Sequence, residues 1–346
     1  VHARKLTLTT FNLYNLNEPG LRMYRKDGWT EDEYKKKISW TGWMLGLLRS
    51  DVFGFQELWH AASLQRAFQE AKADEEYALL VPEGHAGQSI VCAAAVRRDM
   101  LVGEPEWITR FPDAFKLESS GDDAQTPDIS VNLDAFSRPV LHFSIRPRDD
   151  EEDIQVYVCH FKSKRPTDIF FEGWYRDDKT KYEDHRKGIG AGLSTIRRTA
   201  EATALRIILT ERLKRTHTPI IVLGDLNDGE LSNTLNILTE QPRYLTTLST
   251  GGGDTSLYSG QTLQQYRSER DVYYTHVYRG MHESLDHILV SEEFYDNSRD
   301  RIWAFDGMDV YNDHLNRDEH KDRDGTNDHG IVRTHFVYKP ARKVDS

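Results

Sequence analysis

The chain has 346 residues, 38% hydrophobic and 29% charged, which suits a soluble globular fold with a real core. No apolar run in it is long enough to span a bilayer. Its 45 Lys and Arg against 56 Asp and Glu leave a net charge of -11, which argues against tight, non-specific storage of nucleic acid but not against transient phosphate contacts near a divalent cation. Two cysteines, Cys92 and Cys159, each within an apolar run, exclude a disulfide framework and leave either two buried free thiols or one bond between neighbouring strands.

Lys5 to Asn12 alternates as a strand, Leu6, Leu8 and Thr10 against Thr7, Thr9 and Phe11, with Asn12 at its exit. Thr30 and Glu33 form a capping box, and Tyr34, Ile38, Thr41, Leu45 and Leu48 recur at helical spacing, so a helix covers Glu31 to Arg49. Val52 to Gln56 reads as a buried strand that delivers Glu57, and a second helix follows over Ala62 to Ala73. Further strands are expected at Ala78 to Val81, Ile90 to Val96, Pro139 to Arg146 and Gln155 to His160. A long helix from Ser194 to Lys214 precedes a strand at Ile220 to Leu223, and a shorter helix lies near Leu231 to Thr239. Strands at Ser284 to Val290 and Ile331 to Tyr338 close the pattern. Early alternation of strand and helix, with hairpin-like pairs in the middle, points to an α/β sandwich of two sheets with helices outside. No linker or repeat divides the chain, so one domain is expected, with polar insertions at 107–138, 162–193 and 307–327 that shape a substrate cleft.

Five segments place Asn, Glu, Asp or His where a strand ends. They are Thr10-Phe11-Asn12-Leu13-Tyr14; Phe53-Gly54-Phe55-Gln56-Glu57-Leu58; Val158-Cys159-His160-Phe161-Lys162-Ser163-Lys164; Gly224-Asp225-Leu226-Asn227; and the pair Ser284-Leu285-Asp286-His287 and Asn327-Asp328-His329-Gly330. Residues two apart on an extended chain point the same way, so Asp225 and Asn227 would sit side by side at the mouth of a sheet. Glu57 beside Asn12 makes a hard-oxygen site suited to Mg²⁺ or Mn²⁺. Asp225 followed by Asn227 could instead be an Asx-type turn after a strand, and Glu57 a helix cap.

In this order, from Thr7 to about Tyr338, these segments resemble the endonuclease/exonuclease/phosphatase superfamily, whose fold is that of pancreatic deoxyribonuclease. His160 to Lys164, Tyr274 to Tyr278 and Leu285 to Leu289 look most like its bacterial secreted or envelope nucleases. The resemblance implies a four-layer α-β-β-α arrangement, two mixed β-sheets flanked by helices. It also implies Glu57 as the main metal ligand with Asn12 beside it and Asp328 close by, Asp225 and His329 to position and deprotonate water, Asn227 and His160 to donate to the phosphoryl oxygens, and Asp286 to orient His329. His287 is expected to be a structural neighbour. Relatives often pair the first catalytic His with a nearby carboxylate, but Gly87-Gln88-Ser89-Ile90-Val91 offers none.

Phosphate grip beyond the metal is expected from Arg138, Lys162, Lys164, Arg197 and Arg198. The last two are expected in the first turn of the long helix, where the macrodipole disfavours cations. An Arg197–Glu201 surface pair is the bland alternative. The run Asp318 to Asp328 resembles part of a Ca²⁺ loop but lacks its full spacing and bidentate Glu, so a charged loop is the reading preferred over a Ca²⁺ site. The function expected is metal-dependent hydrolysis of nucleic-acid phosphodiesters, as an endonuclease with DNA favoured. A phosphatase or phosphodiesterase for lipid head groups or small phosphate esters, or an inactive binding module, are the alternatives. Nucleic acid would be substrate, with no stable membrane association and no obligate protein partner. The chain begins at Val1 with no charged and apolar leader before Leu6, and the resemblance alone points to a secreted or periplasmic place.

Overall fold

The computed structural model describes residues 2–24, 26–121, 125–240, 255–268 and 273–341, apart from the side chains of 317–319. In chain order its strands are β1 (Lys5–Leu16), β2 (Val52–His60), β3 (Tyr77–Leu80), β4 (Ala86–Arg97), β5 (Leu101–Arg110), β6 (Glu118–Ser119), β7 (Ile129–Ser130), β8 (Ala135–Ile145), β9 (Ile154–His160), β10 (Ile220–Asp225), β11 (Tyr258–Ser259), β12 (His276–Tyr278), β13 (Met281–Glu283), β14 (Asp286–Val290), β15 (Trp303–Tyr311) and β16 (Ile331–Tyr338). One sheet runs β15-β16-β1-β2-β4-β3, the other β11-β14-β10-β9-β8-β5, and β6–β7 and β12–β13 are small hairpins. Both large sheets are mixed. β1 pairs parallel to β2 but antiparallel to β16, and β10 pairs parallel to β9 but antiparallel to β14.

Period-two alternation gives each sheet two apolar faces and hence three cores. Leu6, Leu8, Val52 and Ala94 of one sheet meet Val156, Val158, Leu223 and Ile288 of the other in a central cluster. Outside the first sheet, Phe11, Phe53 and Phe55 pack on Leu45 and Leu48 of the helix Glu31–Leu48 and on Leu64 and Phe68 of the helix Ala61–Glu70. Outside the second, Tyr157, Cys159 and Val222 pack on Leu205 and Leu209 of the helix Arg186–Leu213. The result is four layers, helix, sheet, sheet, helix. Gly54 sets how closely the sheets approach, since a Cβ there would come within 3.0 Å of Leu223 and 3.1 Å of Val158.

The Thr30 capping box is formed: Glu33 N–H donates to Thr30 Oγ1 while the Glu33 carboxylate accepts from Thr30 N–H. Three expectations need correction. The long helix begins at Arg186, not Ser194, because Gly188, Gly190 and Gly192 give its first turns a loop-like composition while Gly190 is needed for contact: a Cβ there would meet Thr167 O at 2.3 Å. Residues 107–110 and 135–138 are strand, so that insertion is confined to about 111–134. Gly307 to Tyr311 likewise belongs to β15, which pairs along β16 and has too irregular a pattern to read as a strand. Both cysteines are buried free thiols. Among the described residues no helix is long and apolar enough to cross a membrane.

Candidate active site

The polar residues singled out by sequence collect at one end of the two sheets. β9, β10 and β14 are in register, so His160, Asp225 and Asp286 stand side by side on adjacent strands. β1 and β2 bring Asn12 and Glu57 to the same end of the other sheet, and the turn before β16 supplies Asp328 and His329.

Asp225 is the hub. Its Oδ2 accepts from Asn12 Nδ2 at 3.2 Å, and His160 Nε2 and His329 Nε2 lie 3.5 and 3.8 Å from it. Its Oδ1 accepts from Asn227 N–H at 2.9 Å. Burial, more than any neighbour, pushes this carboxyl up to about 7, with His329 pulling it down and Asp286 and Glu57 adding to the rise. His160 is 4% exposed, and burial together with Arg138, His329 and Lys162 moves its imidazole well below the ordinary value, so the ring is neutral. Gly87–Val91 carries no carboxylate, and Asp225 on the neighbouring strand stands 3.5 Å from His160 Nε2.

His329 shows the opposite balance. Burial works against its charged form, yet Asp286 and Asp225 outweigh it and hold the ring well above the ordinary value. His329 Nδ1 meets Asp286 Oδ2 at 2.8 Å, and the His329 carbonyl lies 2.8 Å from His314 Nε2, which fixes the turn. Asp286 N–H donates to Thr275 Oγ1 at 3.2 Å, and the His276 ring lies 5.1 Å from that of His329, so the stretch Tyr274 to Tyr278 forms one wall. His287 points away, to Asp228 O and Glu230.

Glu57, Tyr14, Asn15 and Asn227 all have φ between 47° and 60°, left-handed backbone that is costly for residues with a Cβ. The β1–β2 register shifts between Asn12 and Leu16, and the β2–β4 register shifts between Phe55 and Leu58, so Glu57 sits on a bulge that aims its carboxylate out of the strand. Its Oε2 accepts from Asn15 N–H at 3.1 Å. Burial first, then Asp328, raises the Glu57 carboxyl above its usual range, while His329, Arg138 and Asn12 pull it down. Asn12, Glu57 and Asp328 therefore fit a hard divalent cation in donor chemistry. Asp225, Asp286 and His329 form a second group whose ligand atoms lie within 4.8 Å of one another, and Asp286 Oδ1 is buried without a hydrogen-bond partner. A His329 that carries its proton is a poor ligand, which favours the Glu57 side.

Asn227 is 7% exposed and donates Nδ2 to Phe161 O at 3.0 Å. In the left-handed conformation it does not project beside Asp225, as an extended strand would have it. The rim cations fall into two groups. Arg138 donates to Phe161 O, and its charge acts on Glu57 and on His160; Lys162 reaches Ser163 Oγ and Arg165 O. Arg197 acts on Lys162 across the same rim. Lys164 instead pairs with Glu283 and with Asp228 at 3.4 Å, and Arg198, 5% exposed, holds Lys162 O and Asp228. Since the helix starts at Arg186, Arg197 and Arg198 lie in its fourth turn, away from its positive end. Glu201 is 1% exposed and accepts from the N–H groups of Ser137 and Lys162, so it is no surface partner for Arg197. In the suspected calcium run, Lys321–Asp324 is a helical turn; Asp322 accepts from Tyr14 OH, Asp324 pairs with Arg323, and the Asp318 side chain lies outside the described residues.

One residue near this site escaped the sequence reading. Lys37 sits on the buried stripe of the helix Glu31–Leu48, between Tyr34 and Thr41, and is 1% exposed. A lysine at helical spacing within an apolar face was the available signal.

The sequence pattern of the Endonuclease/Exonuclease/phosphatase family matches residues 9–321. A search of curated proteins returns no match. Among solved structures, the human Nocturnin catalytic domain with bound sulfate is 14% identical at a TM-score of 0.55, covering 98% of this chain and 97% of that one. Truncated Caenorhabditis elegans TDP2 is 10% identical at 0.54, covering 96% and 98%. The Bacteroides thetaiotaomicron mannosyl-6-phosphatase is 13% identical at 0.50, covering 96% and 100%. At such identities these structures speak for the fold, while the pattern match spans most of the chain. The chain belongs to the endonuclease/exonuclease/phosphatase family, whose members hydrolyse phosphoester bonds.

Proposed function

We propose that the protein is a divalent-metal-dependent phosphodiesterase that cleaves nucleic acid internally, with DNA as the favoured substrate. The observation that carries the chemistry is the convergence of Asn12, His160 and His329 on the buried Oδ2 of Asp225. A carboxyl held near 7 is matched to accept a proton from water at neutral pH. His329, kept protonated, has no lone pair to take that proton, so of the two candidates the base is Asp225. His329 Nε2 and the neutral His160 donate to the phosphoryl oxygens as charge builds on them, with Asp286 orienting His329. Glu57, Asp328 and Asn12 would hold a divalent ion, which would supply Lewis acidity. The rim cations Arg138, Lys162 and Arg197 support a substrate that carries further phosphates.

A second reading is a phosphatase or phosphodiesterase for small phosphate esters. It is favoured by the net charge of -11 and by the internal ion pairs that occupy Lys164 and Arg198, which leave fewer cations for a long polyanion. Cleavage of supercoiled plasmid, single-stranded DNA and RNA, with Mg²⁺ or EDTA, for wild type and His160→Ala, decides between them. EDTA-sensitive nicking that His160→Ala loses supports the nuclease. Intact hydrolysis of a generic phosphodiester without polynucleotide cleavage sinks it in favour of the second reading.

A further inference from the structure

Burying an ammonium costs several kcal/mol unless it is paired. Lys37 is nevertheless 1% exposed, and among the described residues no carboxylate lies within 4.0 Å of its Nζ. Its Nζ donates to Asn327 Oδ1 at 3.0 Å and lies 4.9 Å from the centre of the Tyr14 ring and 5.3 Å from that of Trp29. Asn327, fully buried, in turn donates Nδ2 to the backbone carbonyl of Asn12 at 2.5 Å. Gly325, at φ 74°, lets the turn before Asn327 lie against the helix, for a Cβ there would come within 2.6 Å of Lys37 N. The Trp29 indole beside the Lys37 amine donates to Asn15 O, and Asn15 N–H donates to the Glu57 carboxylate. One buried lysine, its amine pushed down to about 7 by burial against the pull of Asp328, Glu57 and Asp322, thus joins the helix Glu31–Leu48, the end of β1 with Asn12 and Glu57, and the turn carrying Asp328 and His329. Packing does not explain it, since a leucine or methionine would fill that helix position more cheaply.

We propose that Lys37 is a positioning residue for the divalent-cation site, holding Asn327 so that Asp328 is placed opposite Glu57. The proposal rests on the reading that Asn12, Glu57 and Asp328 hold the ion. It makes a prediction opposite in sign to simple electrostatics: deleting a neighbouring positive charge would tighten cation binding, whereas losing a positioner weakens it.

The experiment is calorimetric titration of the folded protein with MnCl₂ for wild type, Lys37→Met, Asn327→Ser and the double variant, with Tm measured in EDTA. Lys37→Met is expected to weaken Mn²⁺ binding by about tenfold, the scale of supporting groups around metal ligands. Its kcat should fall with KM little changed and the EDTA Tm close to wild type. Asn327→Ser should give a similar loss, and the double variant no more than either single change. Equal or tighter Mn²⁺ binding in Lys37→Met overturns the assignment, as does additivity in the double variant. If Lys37→Met does not fold, unchanged binding in Asn327→Ser overturns it alone. Wild type that binds no Mn²⁺ removes the metal reading itself, which is a different failure.

Discussion

Asp225 is pulled toward neutrality by burial and toward ionisation by His329, and this balance governs what the site can do. Asp225→Asn keeps the shape but removes the proton acceptor, and kcat should fall by about 10²–10⁴-fold, measured on a generic phosphodiester at saturating metal. Full activity in that variant would remove Asp225 from the mechanism. The pH dependence follows in sign. A carboxyl whose folded value is raised to about 7 is protonated below it, so kcat/KM should climb with pH through about 7, until loss of the His329 proton brings it down at alkaline pH. Asp286→Asn takes away the charge that most strongly holds the proton on His329, so a fall in kcat should come with a shift in the alkaline limb of the profile. An unchanged limb would mean that His329 is not held by Asp286.

At the scale of elements, the sheets converge because small residues stand where bulk is forbidden. Gly54→Val should cost about 1–3 kcal/mol by chemical denaturation, as overpacking between sheets does, since the new atoms meet Leu223 and Val158. No loss of stability would mean that the sheets can part there freely. The alternating strand β1, the apolar run of β2 and the capped helix Glu31–Leu48 were legible in the sequence. The start of the helix Arg186–Leu213 was not. Three glycines in its first turns outweigh helical signals locally, and only the approach of Thr167 and Pro166 explains Gly190. β5 and β15 were hidden for a related reason: they are edge strands of the two sheets, so their mixed exposure blurs the period-two pattern.

For the whole molecule, one group far from the site sets a pH dependence of stability. Glu293 follows β14, near where β10 begins and so at the opposite end from Asp225; burial pushes its carboxyl up to about 8, partly countered by the Ser291 hydroxyl. A folded value above the unfolded one means stability that is complete below the unfolded value of about 4.5 and is lost as pH rises through about 8. Glu293→Gln should flatten the fall in Tm over that window and raise Tm at its alkaline end, with activity untouched. A slope as steep as wild type would place the titrating group elsewhere.

The sequence by itself determined the residue types and the order of the strand ends that carry them. Apolar strands, alternating in β1 and continuous in β2, β10 and β14, place Asn12, Glu57, His160, Asp225 and Asp286 at or near their ends, and local pattern is enough to read that. Tertiary structure alone decided which of those side chains meet. The hub at Asp225 joins residues up to 213 positions apart, Asn12 and Asp225, and it needs the two sheets stacked and registered. Left-handed backbone turns Asn227 back on Phe161, ion pairs with Asp228 draw Arg198 and Lys164 inward, and a buried stripe encloses Lys37. Strand periodicity is a local property of the chain, whereas burial, charge coupling and backbone strain depend on neighbours that are distant in sequence and adjacent only once the sheets have packed.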